Sequence, residues 1–165
     1  LLASWRGVII ATYLLMHHAA FWHYRLSTSM FSQAMAAIGL VVIAGAESSA
    51  TLLVGLALLG QLVGYNYFSG LFYSTAGSSH ERRALAAGIH EATLAGGMAI
   101  GTIVGGVLGS LVNHRMPYLL AAVVMLVLIV VQSAAWWRWV RPLREGLTVV
   151  ATEPSEISVE APEIV

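Results

Sequence analysis

Glu91 is the acid of this sequence placed well inside an apolar stretch, and it is where chemistry would begin. A carboxylate away from water costs several kcal/mol unless it is paired, protonated or hydrated. It lies eight residues beyond Arg83, about 12 Å along a helix at 1.5 Å per residue. Three roles are open to it: an ion pair, a gate contact or proton coupling; Arg82 and Arg83 near the helix start are the other coupling or gating candidates. His90 precedes it but points about 100° away around a helix. The pair does not start a His-Glu-x-x-His zinc motif, because position 94 is Leu. His17, His18 and His23 read as polar residues at a membrane interface. As metal ligands they would need an Asp, Cys or third converging His, and none completes a site. There is no nucleophile with a nearby base, no phosphate loop and no haem motif. The expectation is a protein that is not an enzyme and has neither metal nor cofactor.

A second polar group lies in another apolar stretch. Gln61, Tyr65, Asn66, Tyr67, Ser69 and Tyr73 fall within about three and a half helical turns. Asn66, Ser69, Gly70 and Tyr73 have the i, i+3, i+4, i+7 spacing of one face, with Gln61, Tyr65 and Phe68 on an adjoining face. Lipid satisfies neither an amide nor a phenol, so these groups face protein or a water-filled cavity. Isolated interhelical hydrogen bonds would account for one or two such residues. Gln61, Tyr65, Asn66, Ser69 and Tyr73 together read as the wall of a cavity for solute.

The third signal is a ladder of small residues. Gly97, Gly101, Gly105 and Gly109 recur every four positions, with Gly106 and Thr102 among them. In a soluble helix each glycine costs about 1 kcal/mol relative to alanine. In lipid the ladder leaves a groove into which another helix backbone fits closely. The contact is either a static packing seam or one that slides or rocks.

Positioning these groups requires membrane-spanning helices. The chain is 58% apolar and 10% charged, with mean hydropathy +0.80, whereas soluble domains carry about 25% charged residues. All eight positive charges are Arg and all eight acids are Glu, so the net charge is zero and nucleic acid is not an expected partner. There is no Cys, which excludes disulfides and thiolate chemistry. Five stretches approach the roughly 20 residues that cross a hydrocarbon core. They cover about 5–22, 30–46, 51–76, 84–112 and 118–140 within a membrane region 1–145. Short links between them make neighbours antiparallel. The second and fifth are mostly apolar and read as peripheral. Arg25, Arg82, Arg83, Arg138, Arg141 and Arg144 fall on one side against Arg6 and Arg115 on the other, which places the C-terminus in the cytoplasm. Trp136, Trp137 and Trp139 read as an interfacial anchor, and Trp5 and Trp22 as brackets of the first span. Residues 146–165 carry Glu153, Glu156, Glu160 and Glu163 without a basic residue and read as a disordered acidic cytoplasmic tail. The sequence starts at Leu1-Leu2 rather than Met, so the expectation is that a longer protein contributes an N-terminal part.

Three stretches resemble the C-terminal half of major facilitator superfamily transporters. Gly97-xxx-Gly101-Thr102-xx-Gly105-Gly106 is similar to that family's Gly-xxx-Gly-Pro-xx-Gly-Gly motif, with Thr102 in place of the proline. Arg82-Arg83-Ala84-Leu85-Ala86-Ala87-Gly88-Ile89-His90-Glu91 looks like the basic loop and start of the eleventh helix. Gly55-xxxx-Gly60-xxx-Gly64-Tyr65-Asn66-Tyr67-Phe68-Ser69-Gly70-Leu71-Phe72-Tyr73 resembles the Gly- and Tyr-rich tenth helix of some members. The resemblance implies that the five spans are the eighth to twelfth helices; the pseudo-symmetric register, second to sixth, is the alternative. It implies an all-α, polytopic transmembrane bundle, part of a larger transporter fold in a plasma or inner membrane. Such a protein moves a small solute by alternating access, with or against a coupling ion, and the partner of this region is a missing N-terminal half. The other function class is a non-transporting membrane protein, an assembly partner or sensor using a transporter-like bundle.

Overall fold

The computed structural model describes residues 2–143, which form helices and no strand. Helix α1 runs Leu2–His18, α2 Leu26–Ala44, α3 Ser49–Ala76, α4 Arg83–Leu111 and α5 Met116–Ala135. A single 3₁₀ turn, His80–Arg82, leads into α4, and a π turn, Trp136–Val140, continues α5. Four of the five helices are long and apolar enough to cross a membrane. The exception is α1, whose 17 residues rise about 25 Å and stand at the short end of what a core of about 30 Å needs. The acidic tail expected over 146–165 lies outside the described residues.

Contacts divide the chain between Ile129 and Val130. In the second unit the Arg141 guanidinium sits 4.3 Å from the centre of the Trp137 ring. Trp137 and Trp139 are exposed, a placement that suits residues anchoring a helix end at a membrane interface.

Within residues 2–129, α3 touches α1, α2 and α4. Lipid tails are as apolar as Leu, so helices associate there through close packing and hydrogen bonds rather than by escape from water. Glycines make that packing close. A Cβ added at Gly39 of α2 would lie 2.8 Å from the Gly55 carbonyl oxygen, and one at Gly55 would lie 2.9 Å from the Gly39 oxygen and 2.6 Å from Ile43 Cγ1. At Gly60 the added atom would meet the Trp5 indole at 2.7 Å, and at Gly64 it would meet Thr12 Cβ at 2.9 Å. Gly70 lies against the His90 imidazole of α4. Successive glycines of one helix therefore seat three neighbours. Helix α2, expected at the periphery, buries Ser32 and Gln33 along with Ala36, Ala37 and Leu40, and it crosses α3 at the Gly39–Gly55 contact.

The first span ends earlier than its hydropathy suggests. At its C-terminus a helix leaves carbonyls without intrahelical partners. Here the Leu15 carbonyl accepts from the Ala19 amide at 3.0 Å, and the Met16 carbonyl accepts from the Trp22 indole at 2.9 Å. Trp22 is thus folded back under the helix end and is 1% exposed, not an interfacial bracket. Around it pack Phe68, Phe72 and Tyr73 of α3, with ring centroids 5.1–5.9 Å from its own.

The glycine contacts predict opposite signs for one substitution at two sites. Gly55→Ala lowers the melting temperature of the detergent-solubilised protein, because its methyl group meets backbone and Ile43. Gly7→Ala, where nothing lies within 4 Å, raises stability by about 0.5–1 kcal/mol through helix propensity. Thermal unfolding of the two variants beside the parent measures both.

Candidate functional site

The amide and tyrosine residues of α3 point in several directions. Gln61 Nε2 donates to Ser32 Oγ of α2 at 2.8 Å, which ties the two helices beside their glycine contact. Tyr65 is buried with Met16 and Trp22, and its phenol reaches Ser29 of α2. The Ser69 hydroxyl donates within its own helix, to the Asn66 carbonyl at 3.5 Å. Tyr73 reaches the turn between α1 and α2: its Oη accepts from the Tyr24 amide at 2.8 Å and donates to the Trp22 carbonyl at 3.4 Å. Asn66 is exposed. In this arrangement Gln61, Tyr65 and Tyr73 join helices, while Asn66 lies open one turn from the Gly70 contact with α4.

A polar crossing of three helices lies beside Asn66. Tyr67 of α3 stands between Tyr13 of α1 and the end of α4 that carries His90 and Glu91. The Tyr13 and Tyr67 ring centroids are 6.0 Å apart and tilted 40°, and the Tyr67 and His90 centroids are also 6.0 Å apart. Glu91 is close enough for its carboxyl group to act electrostatically on the phenols of Tyr67 and Tyr13. His90 turns the other way, onto Gly70, with its Nε2 buried and without a hydrogen-bond partner. The 100° step along α4 thus sends the imidazole into the α3 contact and leaves the carboxylate exposed at its edge. Arg82 and Arg83 are exposed at the start of α4.

Tyr13 did not figure among the sequence candidates. Its signal was available but weak: it is a phenol in the middle of an apolar span, and Tyr67 shares the face of α3 that α1 approaches through Gly60 and Gly64. Only the pairing of helices brings the two rings together.

The glycine ladder of α4 contrasts with the glycines of α3. At Gly97, Gly101 and Gly106 no atom of another described element comes within 4 Å of an added Cβ. At Gly105 and Gly109 the nearest is Pro117, at 3.8 and 3.7 Å, which is ordinary contact. Thr102, in the proline position of the motif, donates its hydroxyl to the Met98 carbonyl at 2.8 Å, and α4 runs on as regular helix.

A cavity of about 310 Å³ opens where α1 ends, lined by Met16, His17, His18, Trp22, Phe68 and Phe72 among others. The His17 and His18 rings meet edge to face at 5.0 Å, and His23 stacks on Phe72 at 4.8 Å. Among the described residues, no group of three or more His, Cys, Asp or Glu is arranged to hold a metal ion.

Tyr24 is held in the left-handed region, φ 55°, by its bond to Tyr73. That conformation is costly for a residue with a Cβ. Tyr73→Phe removes the bond and should cost about 1 kcal/mol or more of stability. Amide exchange at Tyr24 should quicken, readable by hydrogen–deuterium exchange with mass detection, while exchange within α2 stays unchanged.

No curated protein and no solved structure matches this chain. The Major Facilitator Superfamily model matches residues 2–158, nearly the whole sequence. The helical pattern agrees with that match, in the absence of strands among the described residues and in the length and hydropathy of the helices. The chain therefore belongs to the major facilitator superfamily, as a multi-pass, all-helical membrane protein of a transporter family.

Proposed function

We propose that this chain is the C-terminal half-bundle of a secondary transporter that moves a small solute by alternating access. The open face of α4 carries the reading. Helix α3 closes its glycines against α1, α2 and α4, whereas Gly97 and Gly101 of α4 face no described neighbour. A groove of that kind is the surface on which a second helical half would seat and rock. Gly97, Gly101, Thr102, Gly105, Gly106 and Gly109 then form one side of the moving seam, and the N-terminal half of the same protein forms the other. The arginine distribution supports a cytoplasmic C-terminus in a plasma or inner membrane.

The solute cavity lies between the halves, on the side where Asn66, Tyr67 and Glu91 are accessible. Asn66 contacts solute directly. Gln61, Tyr65, Ser69 and Tyr73 form the wall behind it, and Gln61 and Tyr73, through their bonds to α2 and to the turn after α1, set its shape. Glu91 couples or gates, and a coupling ion, if a proton, would be carried there. Arg82 and Arg83 stand about 12 Å away along α4, where they gate the cytoplasmic side.

Gly101→Leu in the full-length protein abolishes uptake into proteoliposomes while membrane insertion and yield stay close to those of the parent, since one bulky side chain fills the groove. Normal uptake by that variant removes the seam. For Glu91→Gln, uptake is compared with and without an imposed pH gradient. Proton coupling through this residue predicts that the gradient no longer accelerates uptake; an unchanged response assigns Glu91 to gating.

A further inference from the structure

We propose that the cavity at the end of α1 is a binding site for a small aromatic carboxylate, a molecule of one or two fused rings. Neither Asn66 nor Glu91 lines it, so the site is distinct from the solute path of the transport reading and does not depend on that reading.

The floor of the cavity is aromatic and held in place. Trp22 is buried and pinned by the bond from its indole to the Met16 carbonyl. Phe68 and Phe72, one turn apart on α3, meet the Trp22 ring edge to face, at interplanar angles of 81° and 78°. His23 extends this surface, stacked on Phe72 with 21° between the planes. Rings locked in this way present an apolar wall before any ligand arrives, which lowers the ordering cost of binding. Ala19 and Ala20 also line the space, and their short side chains leave it open. At about 310 Å³ the cavity is at the small end of ligand pockets, which run to about 1,000 Å³. That size suits one or two fused rings.

The polar groups of the cavity point to an anion. His17, His18 and His23 make ring contacts, the first two with each other and the third with Trp22 and Phe72. Their nitrogens are therefore left to water or to a ligand. An imidazole carries at least one N–H donor, and it is the side chain suited to gaining positive charge near neutral pH. A carboxylate accepts from either form, more strongly from the charged one. A cation would find no counter-charge here, since residues 1–46 contain no acid and neither does α3. Arg6 and Arg25 are the Arg residues of 1–46, and Arg25 stands two positions after His23, at the start of α2. The negative end of α1 is partly masked as well, because the Leu15 and Met16 carbonyls already accept from the Ala19 amide and the Trp22 indole. An aromatic carboxylate matches both parts of this lining, its ring against the aromatic floor and its oxygens toward the imidazoles.

The test uses the full-length protein in detergent and cinnamate as the probe, with binding read by isothermal titration calorimetry against a detergent blank. Saturable binding is expected. Cinnamyl alcohol, which keeps the ring and loses the charge, should bind about tenfold more weakly. Ala20→Phe fills the cavity and should abolish measurable binding, whereas Ala20→Ser should bind as the parent does. His17→Gln combined with His18→Gln should weaken cinnamate about five- to tenfold and leave cinnamyl alcohol within about twofold of the parent. Bound cinnamate should also slow amide exchange at residues 22–24, the turn that carries Trp22 and His23. Size-exclusion profiles confirm that each variant is folded, and the histidine variant carries the comparison if Ala20→Phe is lost. No saturable binding by the parent, equal binding of acid and alcohol, or binding that neither Ala20→Phe nor the histidine variant weakens overturns the proposal. Uptake by proteoliposomes separates it from the transport reading. Solute uptake without cinnamate binding refutes the site and leaves transport standing. Cavity-dependent binding with no uptake of any solute supports the site and refutes transport.

Discussion

The close approach of backbones at α3 is the constraint from which the rest of this bundle follows. In lipid, two helices gain nothing by hiding apolar side chains from each other, and association depends on dispersion contacts and hydrogen bonds that reward short distances. Gly39 and Gly55 let the α2 and α3 backbones meet, and Gly60 and Gly64 give α1 room for Trp5 and Thr12 against α3. Once the helices are this near, short polar side chains can bridge them, as Gln61 and Ser32 do at 2.8 Å. The turn after α1 depends on the same closeness, because Tyr73 must reach across to hold Tyr24 and Trp22.

Glycines in this chain therefore do two different things. Those of α3 are filled by neighbours, and the propensity they lose is offset by contact. Those of α4 at positions 88, 96, 97, 101 and 106 have no described neighbour within 4 Å of an added Cβ, so the same loss is uncompensated within the described residues. A helix with this composition is poorly suited to facing lipid alone and well suited to meeting another backbone. The division separates a closed seam, which builds the bundle, from an open one, which is available to a moving partner.

Polar groups divide along the same line. Those facing the closed seams are engaged: Gln61 with Ser32, Tyr65 with Ser29, Tyr73 with the turn. Those at the edge of the α3–α4 contact, Asn66 and Glu91, remain accessible. Glu91 stands near the Tyr67 phenol, a carboxyl group in a membrane-spanning helix that a proton, a solute or another part of the protein would have to satisfy.

Much of this was legible in the sequence. Hydropathy and length set the class, because a stretch of about 20 apolar residues has few other uses; α1, with 17 residues, falls short of that length. Glycine spacing marked α4 as a helix with a groove for another backbone, and Glu91 stood out as an acid where acids are expensive. Which glycines would be filled was not legible, since Gly60 and Gly97 look alike in a list of residues and differ in what lies opposite. For the same reason the polar residues of α3 read as one cavity wall, although neighbouring turns of that helix face α2, the α1–α2 turn and α4 in succession. Trp22 looked like an interfacial anchor because its role, capping the Met16 carbonyl, depends on the chain folding back at His18. Tyr13 gained its place from α1 lying across α3. Periodicity records which residues share a face of one helix; only the packing of helices decides what that face meets.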